Sequence, residues 1–152
     1  VSIPAGVDNG MQLRLLGKGE AGDPGGPPGN LFVTIAVAEH SLFKREGNDT
    51  WCRIDVPFAV MVLGGDITVP TIHGEENLHI PAGTDSGKVF TLRGKGIPRT
   101  GGRGPHGEHH VQVVVEVPKS VTSEQEALIR KLADTQGAGV QEKGFWSKLF
   151  GG

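Results

Sequence analysis

The chain has 152 residues, a formal net charge of −2 and 36% hydrophobic residues. This length suits one ordinary domain or two small ones. The charge balance argues against nucleic acid as a partner, because it excludes a strongly basic chain. No apolar run approaches the roughly 18 residues that would span a membrane, so no membrane association is expected. Glycine (25 residues) and proline (10 residues) are abundant, which indicates many turns.

The single cysteine limits the chemistry of the chain. One thiol cannot form an intrachain disulfide framework or a cysteine-built zinc site. Cys52 lies in the alternating segment 50–56, so we expect a buried thiol rather than a catalytic nucleophile. Residues 1–6 lack the basic start and apolar stretch of a signal peptide. Together with the lone thiol, this favours a cytoplasmic location.

A turn-and-strand unit occurs twice. Ile-Pro-Ala-Gly-Val-Asp-Asn-Gly at residues 3–10 returns as Ile-Pro-Ala-Gly-Thr-Asp-Ser-Gly at residues 80–87. In both copies an alternating segment, a Gly-Lys-Gly sequence and a glycine-rich loop follow, and then a stretch rich in Val or Ile. Two copies are too few for a solenoid, so the repeat predicts two similar domains in tandem.

Most of the remaining pattern predicts β structure. Apolar and polar residues alternate at 11–16 and 89–93, each time after an Asp-x-Gly turn. Further strands are expected at 30–38, 50–56, 66–72, 76–80 and 109–117. The apolar run 58–63 begins after Pro57 and ends at a glycine pair, which favours a short helix.

The C-terminal part changes to a helical pattern. Thr122 or Ser123 can cap a helix, with Gln125 or Glu126 three residues further on. One apolar stripe follows, formed by Leu128, Ile129, Leu132 and Ala133. This stripe can pack on its own domain or on a partner chain. The apolar sequence Phe-Trp-Ser-Lys-Leu-Phe at 145–150 is either a docking segment or a disordered tail.

Catalytic and metal-binding patterns are weak. His106, His109 and His110 lie close in sequence, but the last two open a predicted strand and point to opposite faces. They cannot both bind one ion without distortion. No nucleophile elbow or paired carboxylates are visible. We therefore expect a binding or assembly protein with no catalytic residues and no metal, and not an enzyme. A carbohydrate-binding sandwich and a metal hydrolase using residues 106–110 are the alternatives.

Five segments together resemble one known family. They are Ile-Pro-Ala-Gly-Val at 3–7, Leu-Leu-Gly-Lys-Gly-Glu at 15–20, His-Ser-Leu-Phe-Lys-Arg-Glu-Gly-Asn-Asp at 40–49, Leu-Gly-Gly-Asp-Ile-Thr-Val-Pro-Thr at 63–71 and Gly-Lys-Gly-Ile-Pro at 94–98. In this order they make residues 1–137 resemble the C-terminal, substrate-binding region of the DnaJ (J-domain) co-chaperones.

This resemblance implies a mainly β fold with two tandem β-sandwich subdomains and a C-terminal dimerisation helix. The implied domains are the remainder of a first subdomain (1–40), a second subdomain (41–118), the helix (119–137) and a flexible apolar tail (138–152). The family pattern also has a J-domain with a His-Pro-Asp tripeptide and a cysteine-repeat zinc module, and both are absent here. We therefore expect no stimulation of ATP hydrolysis, no cofactor in this chain, and a truncated first subdomain with an exposed sheet edge.

The resemblance also implies a function. The family holds unfolded polypeptide in a shallow hydrophobic groove for transfer to a DnaK-type chaperone, and it acts as a homodimer. Carried onto this sequence, the implied client-binding residues are Leu13, Leu15, Ile35, Val37 and Phe43. The implied dimerisation residues are Leu128, Ile129 and Leu132. A purely structural or assembly role is the alternative function.

Overall fold

The structure is a computed structural model, and it describes residues 1–142. It contains two compact units, Val1–Glu116 and a second one that begins at Val117. Strands make up 32% of the structure and helices 13%, which confirms the expected mainly β fold with a C-terminal helix. The subdomain boundaries expected at residues 40, 118 and 137 stay predictions. The apolar segment 145–150 lies outside the described residues.

The first copy of the repeat forms a two-stranded antiparallel ribbon. Strand β1 (Gln12–Leu15) pairs with β2 (Leu31–Thr34), and Leu13 lies opposite Val33. Backbone pairing continues beyond β2, because the Ile35 N–H donates to the Met11 carbonyl at 2.8 Å. Strand β2 itself nevertheless ends at Thr34, so it is shorter than the strand predicted at residues 30–38.

A four-stranded mixed sheet forms the centre of the first unit. Its strands are β3 (Lys44–Glu46), β4 (Asp49–Pro57), β7 (Val89–Leu92) and β8 (His109–Glu116), in the order β3-β4-β8-β7. The pairing of β4 with β8 is parallel, and the other two pairings are antiparallel. The short strand β3 was not predicted, because Lys-Arg-Glu carries no apolar alternation.

The remaining elements enclose the core together with that sheet. Helix α1 (Phe58–Leu63) follows Pro57 as expected, and β5 (Gly65–Thr71) and β6 (Gly74–Ile80) form an antiparallel hairpin. The buried core consists of Cys52, Val56, Met61, Val69, Leu78, Ile80, Val111 and Val113. Its members come from β4, α1, β5, β6 and β8, an arrangement consistent with a β-sandwich subdomain.

The second unit contains helix α2 (Ser123–Thr135). Its start is the predicted capping box. The Gln125 N–H donates to the Thr122 hydroxyl at 3.2 Å, and the Thr122 N–H donates to the Gln125 side-chain oxygen at 2.9 Å. The helix lies within the predicted segment 119–137. No helix among residues 1–142 has the length and apolar character needed to cross a membrane.

Candidate functional site

One face of the β1–β2 ribbon is apolar and only partly covered. Leu13 and Leu15 alternate along β1, so they point to the same face and are half-buried. Their partners across the ribbon, Val33 and Leu31, lie on this face too, because directly paired residues share a face. Ile35, two residues beyond Val33, is also half-buried. We call these five residues the ribbon face.

A cleft of about 720 Å³ lies beside the segment that follows β2. Its apolar walls are formed by Val37, Phe43, Ile72 and Ile97, and charged side chains surround them. The structure thus brings two of the predicted client-binding residues, Val37 and Phe43, into one cleft. Leu13, Leu15 and Ile35 do not line it. No local pattern indicated Ile72 and Ile97, which lie in a turn and a loop far from Val37 and Phe43 in sequence.

Phe43 is held in place by a histidine. The Nδ1 atom of His40 accepts hydrogen bonds from the backbone N–H groups of Leu42 at 3.0 Å and Phe43 at 3.4 Å. The His40 ring also packs on the Phe43 ring, with 4.9 Å between centroids. On its other side Phe43 meets the buried His109 ring edge-on at 5.7 Å. Phe43 therefore both packs on the core and lines the cleft.

An arginine ties the N-terminal turn to the wall of the cleft. The Arg45 guanidinium donates to the Val7 carbonyl at 2.7 Å, and it lies 3.8 Å from the Asp8 carboxylate. Asp8, Glu39 and Lys44 are the other charged residues lining the cleft. The cleft therefore combines apolar walls with positively and negatively charged side chains around them, an arrangement that resembles the apolar centre and polar rim of protein interfaces.

Behind Phe43 lies a buried polar group. The side chain of His109 is fully buried, with Nδ1 2.7 Å from the Thr50 hydroxyl and Nε2 3.4 Å from the Cys52 sulfur. Burial lowers the pKa of His109 and raises the pKa of Cys52, because the charged form of each loses solvation. Cys52 is thus the buried, unreactive thiol expected from its strand pattern.

The two adjacent histidines of β8 point to opposite faces, as the sequence predicted. His109 is turned into the core, whereas His110 faces Asp49, with 3.2 Å between His110 Nε2 and an Asp49 carboxylate oxygen. The ring of His106 stacks on that of His73, with 5.1 Å between centroids. The three histidines of segment 106–110 therefore do not converge on one point.

The second unit presents the predicted dimerisation residues on one helix. Leu128, Ile129 and Leu132 are spaced to share a face of α2, and their exposed fractions are 61%, 49% and 41%. Ala133 of the same stripe is buried. Three large apolar side chains on one helix face therefore remain accessible in the single chain.

The chain is similar in sequence to a known protein family. Residues 1–118 match the family described as the DnaJ C terminal domain. The chain belongs to the DnaJ C-terminal domain family. The resemblance in the five sequence segments is thereby confirmed.

Bacterial proteins named "Chaperone protein DnaJ" are similar over nearly the whole chain. The protein of Shouchella clausii is 47% identical over 98% of this chain, that of Desulfotalea psychrophila is 44% identical over 99%, and that of Acetivibrio thermocellus is 47% identical over 98%. The aligned part is 40%, 41% and 39% of those proteins, respectively. This DnaJ C-terminal domain thus spans about two fifths of the length of the relatives it matches.

Proposed function

We propose that this chain binds extended, apolar segments of unfolded polypeptides and holds them for transfer to a DnaK-type chaperone. The observation that carries the proposal is the position of Val37. It continues the alternation of Val33 and Ile35 on the ribbon face, and it also lines the cleft that contains Phe43. Apolar side chains of a client would therefore find a continuous run of partly exposed apolar residues.

Binding would be non-covalent and tolerant of client sequence. Each client side chain that is well buried would contribute about 1.5–3 kcal/mol before the cost of ordering is subtracted. In the structure the β1–β2 ribbon has only these two strands, so each strand has an edge that is not paired within residues 1–142. An extended client can add to such an edge through main-chain hydrogen bonds, which depend little on side chains.

Dimerisation through α2 is the second part of the proposal. The exposed side chains of Leu128, Ile129 and Leu132 offer an apolar face for a second copy of the chain. Two client sites in one dimer would raise the overall affinity for a long unfolded chain through effective concentration. Delivery to a DnaK-type chaperone rests on the family membership and on the relatives' name as chaperone proteins.

A peptide-binding titration tests the proposal. We expect Phe43→Ala to weaken the binding of a fluorescent, unfolded apolar peptide by about tenfold, since it removes about one well-buried contact. Phe58→Ala is the matched control, because Phe58 is a half-exposed phenylalanine of α1 outside the cleft. Equal affinities of the two variants would contradict the proposed site.

A second variant separates binding from folding. Phe43 also packs on the core, so its loss can lower stability. Val37 is 43% exposed, and Val37→Ser should therefore weaken peptide binding with little change in the thermal unfolding temperature. If neither variant affects binding, and the chain still dimerises, the assembly role is the better description.

A further inference from the structure

Three potential metal ligands converge where β4 and β8 begin. Parallel pairing sets Thr50 opposite His109, which brings Asp49 at the start of β4 beside Glu108 and His110 of the β8 segment. One ligand atom from each of the three side chains lies within 4.8 Å of the other two. We call Asp49, Glu108 and His110 the strand-start cluster. All three residues are half-buried.

Contacts outside the cluster fix the orientation of its imidazole. The His110 Nδ1 atom lies 2.9 Å from the Thr91 hydroxyl on β7, which leaves Nε2 facing Asp49. A metal-binding histidine commonly uses one ring nitrogen for the ion and the other for such an outer hydrogen bond. The Trp51 ring packs against the imidazole in a tilted arrangement, with 4.4 Å between centroids. The imidazole is thus held in place by two neighbouring strands.

Apart from His110, no basic side chain pairs with the carboxylates of the cluster in the described residues. Within residues 1–142, no lysine or arginine nitrogen lies within 4.0 Å of the carboxylate of Asp49 or Glu108. The Glu108 N–H donates to one Asp49 oxygen at 2.7 Å. This hydrogen bond fixes the orientation of the Asp49 carboxylate and leaves its second oxygen facing His110. Two carboxyl side chains and one imidazole therefore lie close together without a lysine or arginine partner in the described residues.

We propose that the strand-start cluster binds a divalent transition-metal ion of the zinc class. Two carboxylate oxygens and one imidazole nitrogen form a ligand set that suits such an ion, with solvent in the remaining positions. Bonds of about 2.0–2.2 Å would require the carboxylates to move inwards by about an ångström. Both can do so, because Asp49 is 41% exposed and Glu108 is half-buried. The imidazole selects against Mg²⁺ and Ca²⁺, which prefer oxygen ligands.

This site differs from the histidine arrangement suggested by the sequence alone. His109 takes no part, since it is turned into the core, and His106 stacks on His73 at a separate place. Asp49, the ligand that completes the cluster, is 61 residues away from His110 in sequence. The expected absence of a metal is argued from residues near each other in sequence, so it does not include this long-range pairing.

Zinc titration of the whole chain tests the proposal. Isothermal calorimetry with ZnCl₂ should show one saturable site per chain, with no corresponding binding of MgCl₂. Asp49→Asn should weaken zinc binding at least about tenfold. The asparagine side chain keeps an oxygen that can accept the hydrogen bond from the Glu108 N–H, so the fold should persist. Asp66→Asn is its matched control, because within residues 1–142 the Asp66 carboxylate pairs with the exposed His79, away from the cluster.

A second pair of variants distinguishes the cluster from the stacked histidines. His110→Gln should abolish zinc binding, whereas His106→Gln should leave it unchanged. In a Trp146→Phe background, Co²⁺ should quench the fluorescence of Trp51, which contacts the His110 ring, and Asp49→Asn should prevent this quenching. Circular dichroism of every variant verifies the fold. The proposal is overturned if zinc does not bind, if Asp49→Asn binds as tightly as the parent, or if His106→Gln alone removes the site.

Discussion

The β1–β2 ribbon and the β7–β8 hairpin are two copies of the same local structure in different surroundings. In the first copy the Gly10 N–H donates to the Ile35 carbonyl at 2.8 Å, and in the second the Gly87 N–H donates to the Val113 carbonyl at 2.7 Å. The registers correspond as well, with Leu15 opposite Leu31 in one and Leu92 opposite His109 in the other. The repeated turn and strand sequence therefore forms the same strand pairing in both places.

The neighbours of the two hairpins differ. Strand β8 also pairs with β4, and Val111 and Val113 are fully buried. Their counterparts on β2 and just beyond it, Val33 and Ile35, are only half-buried, because in the described part of the chain β2 has β1 as its one partner strand. Local sequence thus sets the hairpin, and the next strand sets its burial. The less covered copy is the one that we propose binds clients.

The largest expected difference concerns a glycine in the loop before the second strand. A Cβ atom at Gly107 would lie 2.0 Å from the Asn48 carbonyl oxygen, whereas at the equivalent Gly29 it would lie 3.6 Å from the Glu20 carbonyl oxygen. We expect Gly107→Ala to lower the free energy of unfolding by about 3 kcal/mol, because backbone must move. Gly29→Ala should change it by about 0.5 kcal/mol or less. Urea unfolding measures both, and equal effects would show that the copies are equally constrained.

A smaller difference is expected for matched core positions. Val111→Ala should cost about 2 kcal/mol of unfolding free energy, since it removes fully buried methyl groups and leaves a cavity. Val33→Ala should cost roughly half of that or less, because Val33 is already partly solvated. Thermal unfolding of the two variants provides the comparison. A larger loss for Val33→Ala would mean that the ribbon face is covered in solution.

The smallest effect is a pH dependence that belongs to the second copy alone. Burial lowers the pKa of His109 below its usual 6.5, so between these two values the unfolded chain binds a proton that the folded chain does not. The contribution of His109 to the free energy of unfolding is therefore fully present above about pH 6.5, and it falls as the pH is lowered through that value. The pKa of Asp49 is lowered from its usual 3.8, so its contribution to the free energy of unfolding is lost only as the pH falls through about 3.8 and below.

Replacing the histidine by its counterpart from the first copy tests this prediction. His109→Leu places at β8 the residue that occupies the equivalent position, Leu31, on β2. Urea unfolding between pH 7 and pH 5 should show a decline for the parent chain and a flatter profile for the variant. Parallel profiles would assign the decline to other groups.

The elements with local causes could be predicted from the sequence. The capping box at Thr122, the turn at residues 85–87 and the alternation of Leu13 with Leu15 all reflect contacts between near neighbours. Strand β3 was missed, since its charged residues are held by pairing with β4 rather than by burial. Its Arg45 side chain contacts the N-terminal turn, which no local pattern indicates.

The candidate sites were predictable only in part, for a geometric reason. The ribbon face follows from a period of two within one hairpin, whereas the cleft needs Ile72 and Ile97 from separate turns. The strand-start cluster depends on a parallel pairing between strands that are far apart in sequence. Parallel strands are not joined by a tight turn, so no short sequence pattern indicates which residues pair.

That parallel pairing also orders the events of folding. Thr50 and His109 are 59 residues apart, so joining β4 to β8 closes a long loop, whereas the β5–β6 and β7–β8 hairpins close short ones. We therefore expect the hairpins to form before the β4–β8 pairing completes the core. During synthesis β4 cannot pair with β8 until the whole of β8, which ends at Glu116, has emerged from the ribosome. Until then this chain, which we propose binds extended apolar segments of unfolded polypeptides, itself exposes an apolar segment of that kind.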